Sequence, residues 1–283
     1  MYDFFIENFG NYIIDNSKKY LTYFIPGEKL FNKLDWYGEK RAEAFNKFKN
    51  NKLKNDIEER DFFYLHMIIW YKEKKELAGG QRFLLIKKGY LNNKEHSYVE
   101  SYHPGTFEKM KNHNFCEIGR TFVMPNFQNR QVLKELIRGF VRIPESKNMK
   151  NFIGIGLISF DHRFINKNCI NAFLKILELS NPQPLKLPNG KYLYEDKTDY
   201  KINSEKFTLE ANNIKFIEKE LKKIDNNFHI PEVIKPYLRY CGVSYENYSL
   251  AKDYNGILQL LFSGRSNSVF NLKRKFLKDY KID

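Results

Sequence analysis

Cysteine is scarce: Cys116, Cys169 and Cys241 are the only three in 283 residues. They are too far apart for metal-ligand spacing and read as small buried hydrophobes in a reducing compartment. Long apolar runs are missing too. Stretches such as ILQLLF at 257–262 are far too short to span a bilayer. Met1 is followed by mixed aromatic and polar residues, where a secretory signal would have a basic start and an apolar core. Neither an internal repeat nor a low-complexity tract stands out. The expectation is a metal-free, cytoplasmic globular protein, with 42% hydrophobic residues sufficing for one large core or two small ones.

Negative charge is the minority: 34 Asp and Glu face 48 Lys and Arg, a net +14. That balance suits an anionic partner, whether nucleic acid, an anionic membrane surface, or an acidic protein or cofactor. A Lys- and Asn-rich composition that merely raises the pI gives the same count. The 19 Tyr and 25 Phe fit a core, an acyl tunnel or a membrane face.

Residues 2–50 show helical spacing, with Phe5, Phe9, Tyr12 and Ile13 in phase, and 35–48 continue as a helix. Residues 63–86 place two apolar segments around a charged turn at Lys72–Glu76, the pattern of a hairpin. An aromatic loop region follows, with a short helix expected at Thr106–Lys111. FCEIGRTFVMP at 115–125 then reads as a strand, yet it holds Glu117 and Arg120 three residues apart. Alternation would send them to opposite faces, one of them covered, where an unpaired charge is costly.

Residues 130–143 form an amphipathic helix, 152–160 a strand buried on both faces, and 168–179 a further helix. Residues 181–200 are a loop with a short strand at KYLYE. Helices are expected at 212–228 and 231–242, late strands at 243–262, and a basic tail from Arg265. This order describes an α/β (α+β) domain with a mixed sheet.

RAEAF (41–45), DFFYLHMII (61–69), GGQRFLL (79–85) and EIGRTFVMPNFQNR (117–130) resemble the GNAT acyltransferase superfamily in order and spacing. IGIGLISF (153–160) and IPEVIKPYLRYCGVS (230–244) extend the match over roughly residues 40–262. The resemblance is to the hemolysin-like N-acyltransferases that make lyso-ornithine lipid from acyl carrier protein thioesters, relatives of the acyl-homoserine-lactone synthases. It implies a GNAT-like mixed sheet flanked by helices. It further implies an N-terminal helical extension (1–40), an acyltransferase domain (41–264) and a basic tail (265–283).

The resemblance also implies a catalytic set of Glu117, Arg120, Arg82 and Asp61, joined by Arg41, in a buried polar network. A carboxylate flanked by guanidinium groups stays ionised in a dry site. Strand splay near Glu117 would accommodate the awkward spacing, and bracing of the sheet would use the same residues. The donor would be an acyl-phosphopantetheine thioester on acyl carrier protein or CoA, held at Asn126, Phe127, Gln128, Asn129 and Arg130 ahead of a helix N-terminus. The superfamily's usual glycines are absent there, which favours the carrier-dependent branch. Lys134, Arg138 and Arg142, continuing from Arg130 at four-residue steps, form either a carrier-docking stripe or an ordinary solvated face.

His66 fits a core position as well as a site. Asp161 and His162 fit turn chemistry as well as a cleft, and Gly154 and Gly156 leave room for either a pantetheine arm or a close helix. The apolar stripe of 212–228 suits core packing, a membrane or a partner helix. Phe63, Trp70, Phe83 and Phe122, with residues 1–35, are candidates to enclose an acyl chain or touch a membrane. The resulting expectation is an N-acyltransferase moving a long acyl chain, 3-hydroxylated in one version, to an amino acid or amino-lipid precursor. The enzyme would be cytoplasmic or peripheral at the inner membrane face. An acyl-homoserine-lactone synthase is the alternative enzyme. A nucleic-acid-binding protein is the alternative class, without a recognised binding motif to support it.

Overall fold

The computed structural model describes residues 1–30, 33–46, 53–128, 130–147, 149, 151–179, 184–193, 214–232, 234–235, 238 and 243–265. Helices are α1 (Tyr2–Phe9), α2 (Leu34–Phe45), α3 (Tyr98–Tyr102), α4 (Thr106–Met110), α5 (Arg130–Ser146), α6 (Lys167–Leu179) and α7 (Ile214–Leu221). Strands are β1 (Ile13–Asn16), β2 (Tyr20–Pro26), β3 (Leu65–Tyr71), β4 (Glu76–Ile86), β5 (Asn114–Val123), β6 (Phe152–Phe160), β7 (Ser244–Ala251) and β8 (Ile257–Arg265). The α/β (α+β) class expected from the sequence stands. The chain divides into two compact units, Met1–Tyr98 with His113–Phe152, and Val99–Asn112 with the described residues from Ile153 onward.

In the first unit β1, β2, β3, β4 and β5 pair in that order, each antiparallel to the next. The expected hairpin is β3–β4, and Lys75 takes a left-handed φ of 53° in its turn. The N-terminal region departs from expectation. Helical spacing runs through residues 2–50, but Ile13–Asn16 and Tyr20–Pro26 are strands. YLTYFI is aromatic and β-branched and nearly all buried, and a short apolar run of that kind carries no helical period. Seven residue pairings with β3 decide its conformation. α1 covers this end of the sheet: Phe5 packs on Trp70, whose ring stacks on Trp36 at 5.7 Å. Trp70 and Phe122, expected near an acyl chain, are thereby core residues, Phe122 lying against Tyr37 and Phe45.

In the second unit the order is β6, β8, β7, all antiparallel. One face carries a core of Phe160, Phe173, Leu177, Ile217, Leu221 and Phe228. The apolar stripe of α7 is spent there, with Ile214, Ile217 and Leu221 buried, so core packing is its role. The helix is shorter than the expected 212–228, and residues 212–213 lie outside the described set. Asp161 and His162 serve the local turn. Asp161 accepts from the Arg163 backbone and pairs with its guanidinium at 2.6 Å, while His162 Nδ1 accepts from Leu258 N–H at 3.3 Å. Most of the expected 231–242 helix, Cys241, Tyr194 and Glu195 of KYLYE and the tail beyond Arg265 lie outside the described residues; Lys191–Leu193 are irregular and form no strand. Cys116 and Cys169 are buried free thiols, and burial pushes Cys116 well up.

Candidate active site

The charged residues of the expected catalytic set converge in the first unit, on one face of β3–β5. α2 lays Tyr37, Gly38, Arg41 and Ala42 against the sheet. Gly38 lets the segment carrying Asn55 and Ile57 approach the helix, because a Cβ there would collide with their side chains. Its carbonyl accepts from Asp56 N–H at 3.1 Å, which fixes Asp56 beside the Arg41 guanidinium. Arg41 Nε then meets Asp56 Oδ2 at 3.1 Å.

A short 3-10 turn, Glu59–Phe63, delivers the next group. Glu58 and Asp61 cap each other's backbone, with Glu58 N–H donating to Asp61 Oδ2 at 2.9 Å. This points Asp61 inward and leaves Phe62 and Phe63 outward. Arg41 holds both oxygens of Asp61, and Arg82 from β4 shares Oδ1 at 2.8 Å. Arg82 also reaches Glu58 at 3.2 Å and lies over the Tyr64 ring. Burial pushes the Asp61 carboxyl up, but the Arg41 and Arg82 guanidiniums outweigh it and hold it well below the usual carboxylate range.

β5 resolves the spacing of Glu117 and Arg120. Arg82 pairs with Gly119 and Gly80 with Phe122, so Arg120 and Thr121 together oppose the single Gln81. This is a β-bulge, and Arg120 sits in it with a left-handed φ of 49°. Thr121 faces Gln81 and α5. Arg120 turns to the Arg82 side, paired with Glu58 and 3.4 Å from Asp56. Such a φ costs a non-glycine residue of the order of 1 kcal/mol, which two carboxylates offset.

Glu117 is placed apart from the guanidiniums that were expected to flank it. Its carboxylate, 1% exposed, accepts from Tyr64 Oη at 2.6 Å, from Tyr98 N–H at 3.0 Å and from Ser97 Oγ. Burial first, and then Glu117, raise the Tyr64 phenol well above its ordinary value, so it stays a donor. His66, opposite Arg82 across β3–β4, is a core histidine in contact with the network. Its Nε2 lies 2.7 Å from the Asp61 carbonyl, which can only accept, so Nε2 carries the proton.

Asp56, Glu58, Arg60, Tyr64, Ser97 and Tyr98 were not singled out in the sequence. A signal existed for the first three in the dense charge of NDIEERD ahead of an aromatic pair. Glu58 is the hub at the rim: Arg60, Arg82 and Arg120 all pair with it, and Arg60 and Arg120 both lie over the Tyr98 ring. Arg60 and Glu58 are about a quarter exposed, so here the network reaches solvent.

The proposed donor-binding residues fare unevenly. Phe127 is buried against Tyr71 and anchors the turn, whereas Asn126 and Gln128 are exposed. Asn129 and the Arg130 side chain lie outside the described set. On α5, Lys134 is exposed, but Arg138 pairs with Glu135 at 2.6 Å and Arg142 reaches Asp15 at 3.6 Å and the Ile14 carbonyl. The stripe is therefore partly neutralised within the fold. Among the described residues, no helix is long and apolar enough to cross a membrane.

Residues 41–138 match the family model of the acetyltransferase (GNAT) domain, a span that starts at Arg41 and encloses the whole network. The acyltransferase class expected from the sequence stands with this match. No curated protein matches the chain. Among solved structures, the chain is similar to MesI, a CoA-dependent acyl-homoserine lactone synthase, with 12% identity, 92% of this chain and 97% of that one covered, and a TM-score of 0.42. For BjaI, another CoA-dependent acyl-homoserine lactone synthase, the figures are 7%, 89%, 87% and 0.41. For FeeM, an N-acyl amino acid synthase from uncultured soil microbes, they are 9%, 56%, 78% and 0.30. Likenesses at this level assign neither donor nor acceptor.

Proposed function

We propose that the protein is an N-acyltransferase that moves a long acyl chain from an acyl-phosphopantetheine thioester to the amine of an amino acid or amino-lipid precursor, of the lyso-ornithine-lipid type. One observation carries the acceptor class. Glu58, Arg60 and Arg120 put a carboxylate beside two guanidiniums where the buried network meets solvent. That rim complements the ammonium and carboxylate of an amino-acid head group.

In this reading Asp61, Arg41 and Arg82 lock the rim in place, and Arg120 orients the acceptor. The amine attacks the thioester carbonyl carbon, the thiolate leaves, and the amine's extra proton must depart. Glu117 takes it through a hydroxyl, Ser97 or Tyr64, each of which accepts the incoming proton as it passes its own to the carboxylate. Asn126, Gln128 and the start of α5 hold the donor phosphate, and Lys134 guides acyl carrier protein. The catalytic domain is proposed to run over 41–264, and the enzyme to be cytoplasmic or peripheral at the inner membrane face, where an amphiphilic product would be delivered.

Lipid mass spectrometry of cells with and without the protein tests this. An N-acylated amino acid or amino lipid is expected only in its presence and absent with Glu117→Gln. Appearance of an acyl lactone would favour the homoserine-lactone alternative, and no acylated amine of either kind would overturn the reading.

A further inference from the structure

Phe62 and Phe63 are each 40% exposed, with rings packed edge to face at 5.6 Å. They sit directly between two functional groups: Asp61, fully buried in the ion network, and Tyr64, which donates to Glu117. One turn thus has its inner side in the candidate site and its outer side in solvent. The capping of Glu58 by Asp61 turns Asp61 inward, the next two side chains lie toward the surface, and the Phe63 ring stacks on that of His96.

A groove of about 400 Å³ adjoins the pair, lined among others by Pro26, Phe63, Leu65, Phe83, Leu85 and Lys147. Asn93, in the loop after β4, also lines it. That loop carries Lys87 and Lys88, both exposed, and Tyr90, 62% exposed. The turn bearing Phe62 and Phe63 and the loop bearing Lys87, Lys88 and Tyr90 both reach this groove. Exposed aromatics with lysines beside them in sequence are a poor water-facing surface for a protein that has no need of one.

We propose that this face docks on an anionic lipid bilayer, with Phe62, Phe63 and Tyr90 entering the headgroup region and Lys87, Lys88 and Lys147 against the lipid phosphates. Amphipathic aromatic rings settle at that depth, and each lysine near an anionic surface adds attraction that salt weakens. The contact moves the proposed membrane surface from residues 1–35, where Phe5, Phe9 and β2 pack into the core, to the outer side of the turn bearing Asp61. An acceptor or product with an apolar tail would then reach the site without crossing water. This deepens the lipid-synthesis reading and rests on it for its purpose. Vesicle binding is measured without turnover, so either idea can fail alone.

The test is co-sedimentation of the full chain with phosphatidylcholine vesicles, with and without phosphatidylglycerol. Binding is expected only with the anionic lipid and should fall as salt rises. Phe62→Ser with Phe63→Ser should weaken it at least about tenfold at a temperature where the variant is still folded. If that variant does not fold, Lys87→Glu with Lys88→Glu decides, with the same loss expected. Protein that stays in the supernatant, equal binding to neutral vesicles, or a folded variant that binds like the parent would overturn the proposal. Saturable uptake of monomeric fatty acid without vesicle binding would overturn it in favour of an acyl-chain groove.

Discussion

Arg41 and Asp61 meet end to end, Nη1 to Oδ1 and Nη2 to Oδ2, both at 2.8 Å, and neither side chain reaches solvent. Two parallel charge-assisted bonds in a dry site satisfy both groups at once, and Arg82 adds a third to the same carboxylate. The pair ties α2 to the turn that carries Asp61, so the geometry of the rim depends on it.

Asp61→Asn should therefore lose stability of roughly 3–5 kcal/mol, because it leaves two buried guanidiniums short of a countercharge. Arg41→Lys should recover little, since an ammonium cannot span both oxygens. Urea unfolding of each variant measures this, and a loss under about 1 kcal/mol would mean that Asp56 and Glu58 take over.

His66 predicts the pH dependence. Burial lowers its folded pKa from 6.5 to about 4, against the opposing pull of Asp61. Protonation would place a hydrogen on Nδ1, which is buried without an acceptor. The folded pKa is the lower one, so the unfolded chain binds the proton first as pH falls. Stability is full above 6.5 and drains away between there and about 4, by the order of 3 kcal/mol. Asp61, held well below the carboxylate range, adds its loss only at lower pH. Urea midpoints should fall between pH 7 and 4.5 in the parent and less so in His66→Gln; parallel slopes would contradict the assignment.

Glu117→Gln is expected to fold and to lose acyl transfer. The amide oxygen can still accept from Tyr64 and Tyr98, and the Ser97 hydroxyl can rotate to accept from the new NH₂. The cost should stay within about 1–3 kcal/mol, while the negative charge that would take the proton is gone. A folded variant with undiminished transfer would reduce Glu117 to a brace for Tyr64.

Reversal on α5 should separate docking from stability. Lys134→Glu should lower kcat/KM for acyl carrier protein severalfold at low salt, fade at high salt, and spare a small thioester. Arg138→Glu should destabilise instead, because it sets a second carboxylate beside Glu135, whose own carboxyl burial already pushes up. Equal loss with both donors for Lys134→Glu would remove the docking role.

Much of the fold was legible because its signals are local. The two apolar halves and charged turn of β3–β4 and the continuous apolar run of β6 are properties of short windows. So is the helical spacing of α5 and α6. Arg41, Asp61, Arg82, Glu117 and Arg120 are singled out as a set only by the family resemblance, and all five lie on the same side of the sheet. Residues 13–26 were not legible as strands, since a short aromatic run fits either state until a neighbour pairs with it.

What the tertiary structure decided was partnership. Whether Glu117 meets guanidiniums or neutral hydroxyls depends on which loop arrives beside it, and Ser97 and Tyr98 come from far outside any local pattern. The bulge at Arg120 exists only in the register between β4 and β5, where two residues face Gln81. Arg138 and Arg142 look like a free basic stripe in one dimension and are partly neutralised by Glu135 and Asp15 in three. Backbone periodicity is written into neighbouring residues, whereas the pairing of buried charge is set by contacts between segments that the chain brings together only on folding.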